Sequence, residues 1–217
     1  MEQFRTMDKT ANFILDKYSF SLDARMPLEI PNVDRETLAK WFCELGFNYG
    51  VEVGVAAGEY SEIIMKANPN LRLTGVDSWA PYKGYRDYQK ESTLQLLEEQ
   101  ARERLEPYEN YVFMKAFSME AKELFNDNSL DFVYLDANHH NPFVTQDIEE
   151  WYKKVRPGGI LAGHDYVKSR NVRVDVVEAV NKFTEKNDID VWFVLGEFKH
   201  KKGELRDSAR SWLIVKE

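Results

Sequence analysis

Four side chains able to move a proton or hold a cation fall in two short stretches. Asp136 and His139 lie in Asp136-Ala137-Asn138-His139-His140, and His164 and Asp165 in His164-Asp165-Tyr166. Each stretch follows an apolar run, Leu130–Leu135 in one case and Ile160–Gly163 in the other. Residues just past the ends of adjacent parallel strands share one cleft. Two carboxylates with a histidine suit Mg²⁺ or another divalent cation, and Asp136, Asp165 and His164 are the expected ligands. Such an ion lowers the pKa of a substrate hydroxyl. The alternative chemistry is metal-free. There His139 acts as general base, because an imidazole with an unperturbed pKa of about 6.5 exchanges protons near neutrality. Plainer roles for either histidine are helix-entry capping or a hydrogen-bonded loop position.

Upstream, residues 49–60 read YGVEVGVAAGEY. An apolar strand breaks at Gly54, Ala56, Ala57 and Gly58 and enters a helix through Glu59 and Tyr60. A strand turning through small residues into a helix is the α/β device for holding a nucleotide-like cofactor. A dinucleotide loop wants G-x-G-x-x-G, and only Gly54 fits; Ala56 and Glu59 take the other two glycine places. Glu52 and Glu59 repel a pyrophosphate but suit a ligand carrying an ammonium and a sulfonium. An ordinary tight turn with an accidental glutamate is the competing reading. Asp77 ends the next strand, where a carboxylate can accept from a ribose diol; a simple turn cap is the alternative.

These residues need a parallel sheet to bring them together, and the chain supplies one. Short apolar runs at about 49–54, 71–76, 111–115, 130–135 and 160–163 alternate with helical patterns, which predicts parallel strands. Asp34 is an N-cap, followed by Leu38, Trp41, Phe42 and Leu45 on one helical face and stopped by Gly46. Ser118 is expected to cap the helix of Met119, Leu124 and Phe125, and Asn141-Pro142 to open the next as N-cap and N1. Two last strands, 191–195 and 211–215, have no helix between them and should pair antiparallel. Residues 1–34 are expected to be a helical extension covering the core, ahead of one domain at 35–217. Residues 78–90, SWAPYKGYRDYQK, are too long and aromatic for a plain turn. Trp79, Tyr82, Tyr85 and Tyr88 make this either a lid over the site or an aromatic-stapled surface loop.

The 217 residues suffice for one α/β domain, and 30% charged residues are ordinary for a soluble globular chain. A net charge of -8 disfavours nucleic acid as a partner; His200-Lys201-Lys202 is the one short basic patch. One cysteine, Cys43, excludes an intramolecular disulfide, and with no visible signal peptide it suits a cytoplasmic location. Its neighbours Trp41, Phe42 and Leu45 suggest a buried thiol. No apolar run approaches the ~20 residues of a membrane span.

Taken together, Glu52-x-Gly54-x-x-x-Gly58, Asp77, LDFVYLDANHH at 130–140 and RPGGILAGHDY at 156–166 resemble a class I S-adenosylmethionine (SAM) methyltransferase. The last two pieces resemble methyltransferase family 24, a branch of small-molecule and sugar O-methyltransferases. The resemblance covers about residues 35–217. It implies a Rossmann-like, doubly wound α/β sheet of seven strands, order 3-2-1-4-5-7-6, strand seven antiparallel. It implies SAM held by Glu52, Gly54, Ala56 and Gly58 at the methionine end, by Asp77 and Ser78 at the ribose, and near Phe117, Ser118 and Asp136 beyond. Metal-dependent relatives carry carboxylates at the positions of Asp136 and Asp165; the catechol type continues with Asn, where this chain has Tyr166. The expected partner is a small-molecule or glycan acceptor, with a homodimer compatible with the amphipathic N-terminus. Two rivals stand: an NAD-dependent oxidoreductase, and a non-catalytic SAM-fold binding module.

Overall fold

The computed structural model describes residues 8–20, 25–81, 90–168 and 173–217. Helix α1 (Lys9–Tyr18) and strand β1 (Leu28–Ile30) precede α2 (Arg35–Glu44). Then β2 (Tyr49–Val53), α3 (Glu59–Ala67), β3 (Arg72–Asp77), α4 (Glu91–Leu105) and β4 (Tyr111–Lys115) alternate. A short α5 (Ser118–Ala121) leads to β5 (Leu130–Leu135), α6 (Phe143–Lys154), β6 (Val155–Gly163) and α7 (Val176–Lys186). Strands β7 (Trp192–Leu195) and β8 (Trp212–Val215) close the chain.

The sheet order is β4-β3-β2-β5-β6-β8-β7-β1. The seven strands from Tyr49 onward follow the expected order, and β8 runs antiparallel to both β6 and β7. The sheet has eight strands rather than seven, because residues expected to be wholly helical also supply β1. Leu28 and Ile30 point inward, and the strand runs parallel to β7 with Leu28 opposite Phe193 and Ile30 opposite Leu195. It satisfies the backbone of what would otherwise be an exposed edge.

Alternation along β2 sends Val51 and Val53 to one face and Glu52 to the other. Val51 and Val53 pack with Val133, Leu135 and the inner sides of α6 and α7. The opposite face is covered by α1, α2, α3 and α4, with Phe42 stacked on Phe132 at 3.8 Å between centroids. Helix α1 does cover core, burying Ile14 and Leu15.

Capping went partly as expected. Asp34 accepts from the Thr37 N–H at 2.9 Å, and Leu38, Trp41 and Phe42 are buried. Cys43 is exposed, not buried; it follows Phe42 by about 100° around the helix and so leaves the apolar stripe. Ser118 is the first residue of α5 and does not cap it; Phe117 stands at the cap. Likewise Pro142, not Asn141, holds the cap position of α6. Asn141 instead accepts from the Thr145 hydroxyl at 2.6 Å, and its N–H donates to Asp175.

Candidate functional site

Strands β5 and β6 are parallel neighbours in register, Leu135 opposite Gly163. Their first residues beyond the ends are therefore brought side by side. His139 Nε2 lies 3.3 Å from Asp136 Oδ1 and 3.2 Å from Asp165 Oδ2. His164 Nδ1 lies 3.3 Å from the same Asp165 oxygen and 3.8 Å from Asp136. All four predicted residues converge. The set whose ligand atoms all lie within 4.8 Å of one another is Asp136, His139 and Asp165. His139 thus takes the place foreseen for His164, which stands one step behind with Nε2 buried and lacking a partner. Asp165 has φ +57°, in the left-handed region.

Burial alone would raise the Asp165 pKa, but the hydrogen bond from His164 and the charges of His139, His164 and Arg35 hold it below the usual carboxylate range. Arg35 was not anticipated. Its Nη1 lies 3.5 Å from Asp136 Oδ2, and its guanidinium lies over the Tyr60 ring at 5.1 Å. A signal for it existed. Helix α2 joins β2 by a short turn, so its N-terminal residue must return to the C-terminal ends of the strands, beside the cleft.

The glycine turn is held by Asp77. One carboxylate oxygen accepts from the N–H groups of Val55 and Ala56, both at 2.9 Å, and the other from Trp79 N–H at 2.8 Å. Trp79 is buried, and its Nε1 donates to Ala56 O at 2.9 Å. The other aromatics of 78–90, Tyr82, Tyr85 and Tyr88, with Lys83 and Arg86, lie outside the described residues. Ser78 is buried and accepts from Ala80 N–H at 3.3 Å.

Two glycines have reasons different from open space for a ligand. A Cβ on Gly54 would sit 2.2 Å from Asp136 O, so its absence lets the turn press against the end of β5. A Cβ on Gly58, whose φ is +77°, would sit 2.9 Å from Leu105 Cδ1 and 3.3 Å from Ala101 Cα. Its bare side therefore packs on α4.

Glu52 does not present its carboxyl to the cleft. Only 2% of the residue is exposed, and its carboxyl accepts from Ser61 Oγ, which lies 3.0 Å from Tyr111 Oη. Burial pushes its pKa up to about 8, against the lowering effect of the Ser61 hydrogen bond. The alternation that buries Val51 and Val53 on one face forces Glu52 beneath α3 on the other. Ser118 also turns inward. Its hydroxyl donates to Asp147 and accepts from Trp151 Nε1 at 2.8 Å. Burial raises Asp147 to about 7, with the Ser118 hydrogen bond and His139 opposing. Phe117 keeps its ring on the rim, 38% exposed at the tip of β4. None of Ser61, Tyr111 and Asp147 was legible as a site neighbour, since each reaches it only through tertiary packing.

The comparisons with known proteins bear on this arrangement. A family model described as Methyltransferase domain, of methyltransferase family 24, matches residues 51–166, which span the glycine turn through Tyr166. A search of curated protein sequences finds no match. Among solved structures, an O-methyltransferase from Bacillus cereus in complex with SAH is 16% identical, with TM-score 0.56, covering 99% of this chain and 94% of that one. The O-methyltransferase TomG from Streptomyces achromogenes, in complex with SAM, is 15% identical, with TM-score 0.58 and coverages of 97% and 91%. The spermidine synthase from Thermotoga maritima is 10% identical, with TM-score 0.57 and coverages of 84% and 59%. At these identities the structures establish the shared fold, and the activity is established by the family, whose model spans more than half of the chain. No helix of the described residues is long and apolar enough to cross a membrane. The chain belongs to methyltransferase family 24 and is a SAM-dependent methyltransferase.

Proposed function

We propose that the protein methylates a hydroxyl oxygen of a small molecule or sugar, with Asp136, His139 and Asp165 handling the acceptor. One observation carries the reading. The His139 Nε2 atom stands within 3.3 Å of an oxygen on each of two carboxylates. A lone pair facing two anions is unfavourable, so the arrangement calls for an N–H hydrogen on Nε2 or a divalent cation at its centre. The donor set, two carboxylates and one imidazole, fits such an ion. An ion held there lowers the pKa of an acceptor hydroxyl bound beside it. Without one, the cluster of His139 and its two carboxylates must take the hydroxyl proton, onto a carboxylate oxygen where Nε2 already carries a hydrogen.

The residues present also fit the cofactor. Asp77 ends β3 beside the glycine turn, which its carboxylate holds through the N–H groups of Val55, Ala56 and Trp79. The Phe117 ring at the tip of β4 offers a stacking face for an adenine. Bound SAM supplies the methyl group as an electrophile. The backbone from Gly54 to Gly58 positions it, Asp77 orients the ribose, and Trp79 closes the turn behind Ala56. Arg35 holds Asp136 in place and offsets part of the site's negative charge. An oxidoreductase reading has less support, since Ala56 and Glu59 still occupy the places of two dinucleotide glycines.

The test is a methyl-transfer screen with added Mg²⁺ or Mn²⁺ against hydroxyl-bearing metabolites and glycans, read by mass change. Products methylated on nitrogen or carbon alone would overturn the O-methylation reading.

A further inference from the structure

The chain enters a second concavity one residue beyond Asp165. Its volume is about 720 Å³, inside the ~300–1,000 Å³ range of small-molecule sites. Val177 of α7 and the exposed ring of Phe198 give it apolar walls. Tyr166 forms the side next to the candidate catalytic cluster. Its hydroxyl donates to Asn181 Oδ1 at 3.1 Å, and its N–H donates to Arg210 O at 2.8 Å. None of these residues takes part in the cluster of Asp136, His139 and Asp165.

The charge of the lining is one-sided. Lys168, Arg206 and Arg210 face a single carboxylate, Glu29. Glu29 is already engaged, by Arg210 Nη1 at 2.5 Å and by the Phe198 N–H at 2.8 Å. Arg210 is 7% exposed and lies 5.7 Å from the ring centroids of both Tyr166 and Phe198, so this pair is built into the wall. Arg206 hydrogen-bonds to the carbonyls of Glu197, Phe198 and Asp207 and to the ring of His200. Lys168 is exposed at the mouth. Two cations thus remain after Glu29 and Arg210 cancel, in a chain whose net charge is -8. A local positive surplus over an apolar surface selects a ligand with an apolar body and an anionic head.

We propose that this groove binds a small amphiphilic anion, a carboxylate or phosphate monoester on a ring or chain, through Lys168 and Arg206. Resting on the O-methyltransferase reading, it is the seat of the acceptor's non-reacting end, because Asp165 and Tyr166 join it to the cluster by one peptide bond.

The experiment is a titration of the full chain, followed by backbone amide NMR. Benzoate, phenyl phosphate and octanoate are compared with the neutral methyl benzoate and octanol. The expected result is shifts at Lys168, Val177 and Ser208, which all line the groove, with at least one anion binding more tightly than the neutral probes. Lys168→Gln, at an exposed position, should weaken that anion about two- to fivefold, and Arg206→Gln should do the same while leaving the neutral probes unchanged. The proposal is overturned if neutral probes bind as well, if shifts appear elsewhere, or if both variants bind the anions like the parent. Calorimetry of SAM on the same samples separates the two readings. Failure to bind SAM strikes the methyltransferase chemistry, while the anion titration decides the groove in either case.

Discussion

His139 Nε2 lies 3.2 Å from Asp165 Oδ2, although one residue follows β5 and the other follows β6. The contact makes the two strand ends a single chemical unit. Chelation with EDTA should abolish methyl transfer if a cation holds the unit together, and Mg²⁺ or Mn²⁺ should restore it. If a proton plays that part, EDTA has no effect and His139→Ala lowers turnover about 10²–10⁴-fold. Activity surviving both treatments would remove both roles. Initial-rate assays with and without chelator distinguish the cases, and SAM affinity by calorimetry should be unchanged in each.

Arg35 competes with any cation for Asp136. Replacing it by methionine keeps the apolar stem over Tyr60 and removes the charge. Arg35→Met should tighten Mn²⁺ binding about two- to fivefold, the equivalent of ~0.4–1 kcal/mol for a partly exposed pair. Titration calorimetry reads this directly. Weaker Mn²⁺ binding would mean that the guanidinium positions Asp136 more than it opposes the ion.

Glu52 should make stability depend on pH. Its folded-state pKa, about 8, lies above the ordinary carboxylate value because the group is buried. Its contribution is therefore complete below the ordinary carboxylate range and is lost as pH rises through about 8. Glu52→Gln keeps the shape without the titration. Relative to the parent, the variant should gain stability from pH 5 to about pH 8 and level off above it, at about 1.4 kcal/mol per pH unit as an upper scale. Urea unfolding at several pH values checks this. A difference that stays flat with pH would place the carboxyl in contact with water.

Gly58→Val should act on the fold before it acts on any ligand. The new side chain meets α4 and adopts a left-handed backbone that β-branched residues resist. Overpacking and backbone strain together should cost on the order of 2–4 kcal/mol. Chemical denaturation measures the loss. A variant of parental stability that no longer binds SAM would show instead that the bare face of Gly58 meets the cofactor.

The order of elements was readable because its causes are local. Short apolar runs such as Tyr111–Lys115 and Leu130–Leu135, and the stripe of Leu38, Trp41 and Phe42, mark strands and a helix from local sequence. The glycine turn, Asp77 and the residues after the two apolar strands were legible for the same reason, and the resemblance of those pieces supplied the sheet order. What depended on contacts distant in the chain was not legible. Three residues, Leu28–Ile30, become a strand only because β7 offers an edge. The short α2–β2 turn signalled that Arg35 returns to the strand ends, but its contact with Asp136 exists only because β5 lies beside β2. Glu52 reads as a ligand for a cationic cofactor, yet strand alternation buries its carboxyl with Ser61. Residue types and their order alone determined which chemistry this chain can perform, since hydrogen-bonding and charge are properties of side chains. Which of those side chains meet, and which are turned inward, was decided by tertiary packing, because sheet register and helix direction set their positions to within ångströms.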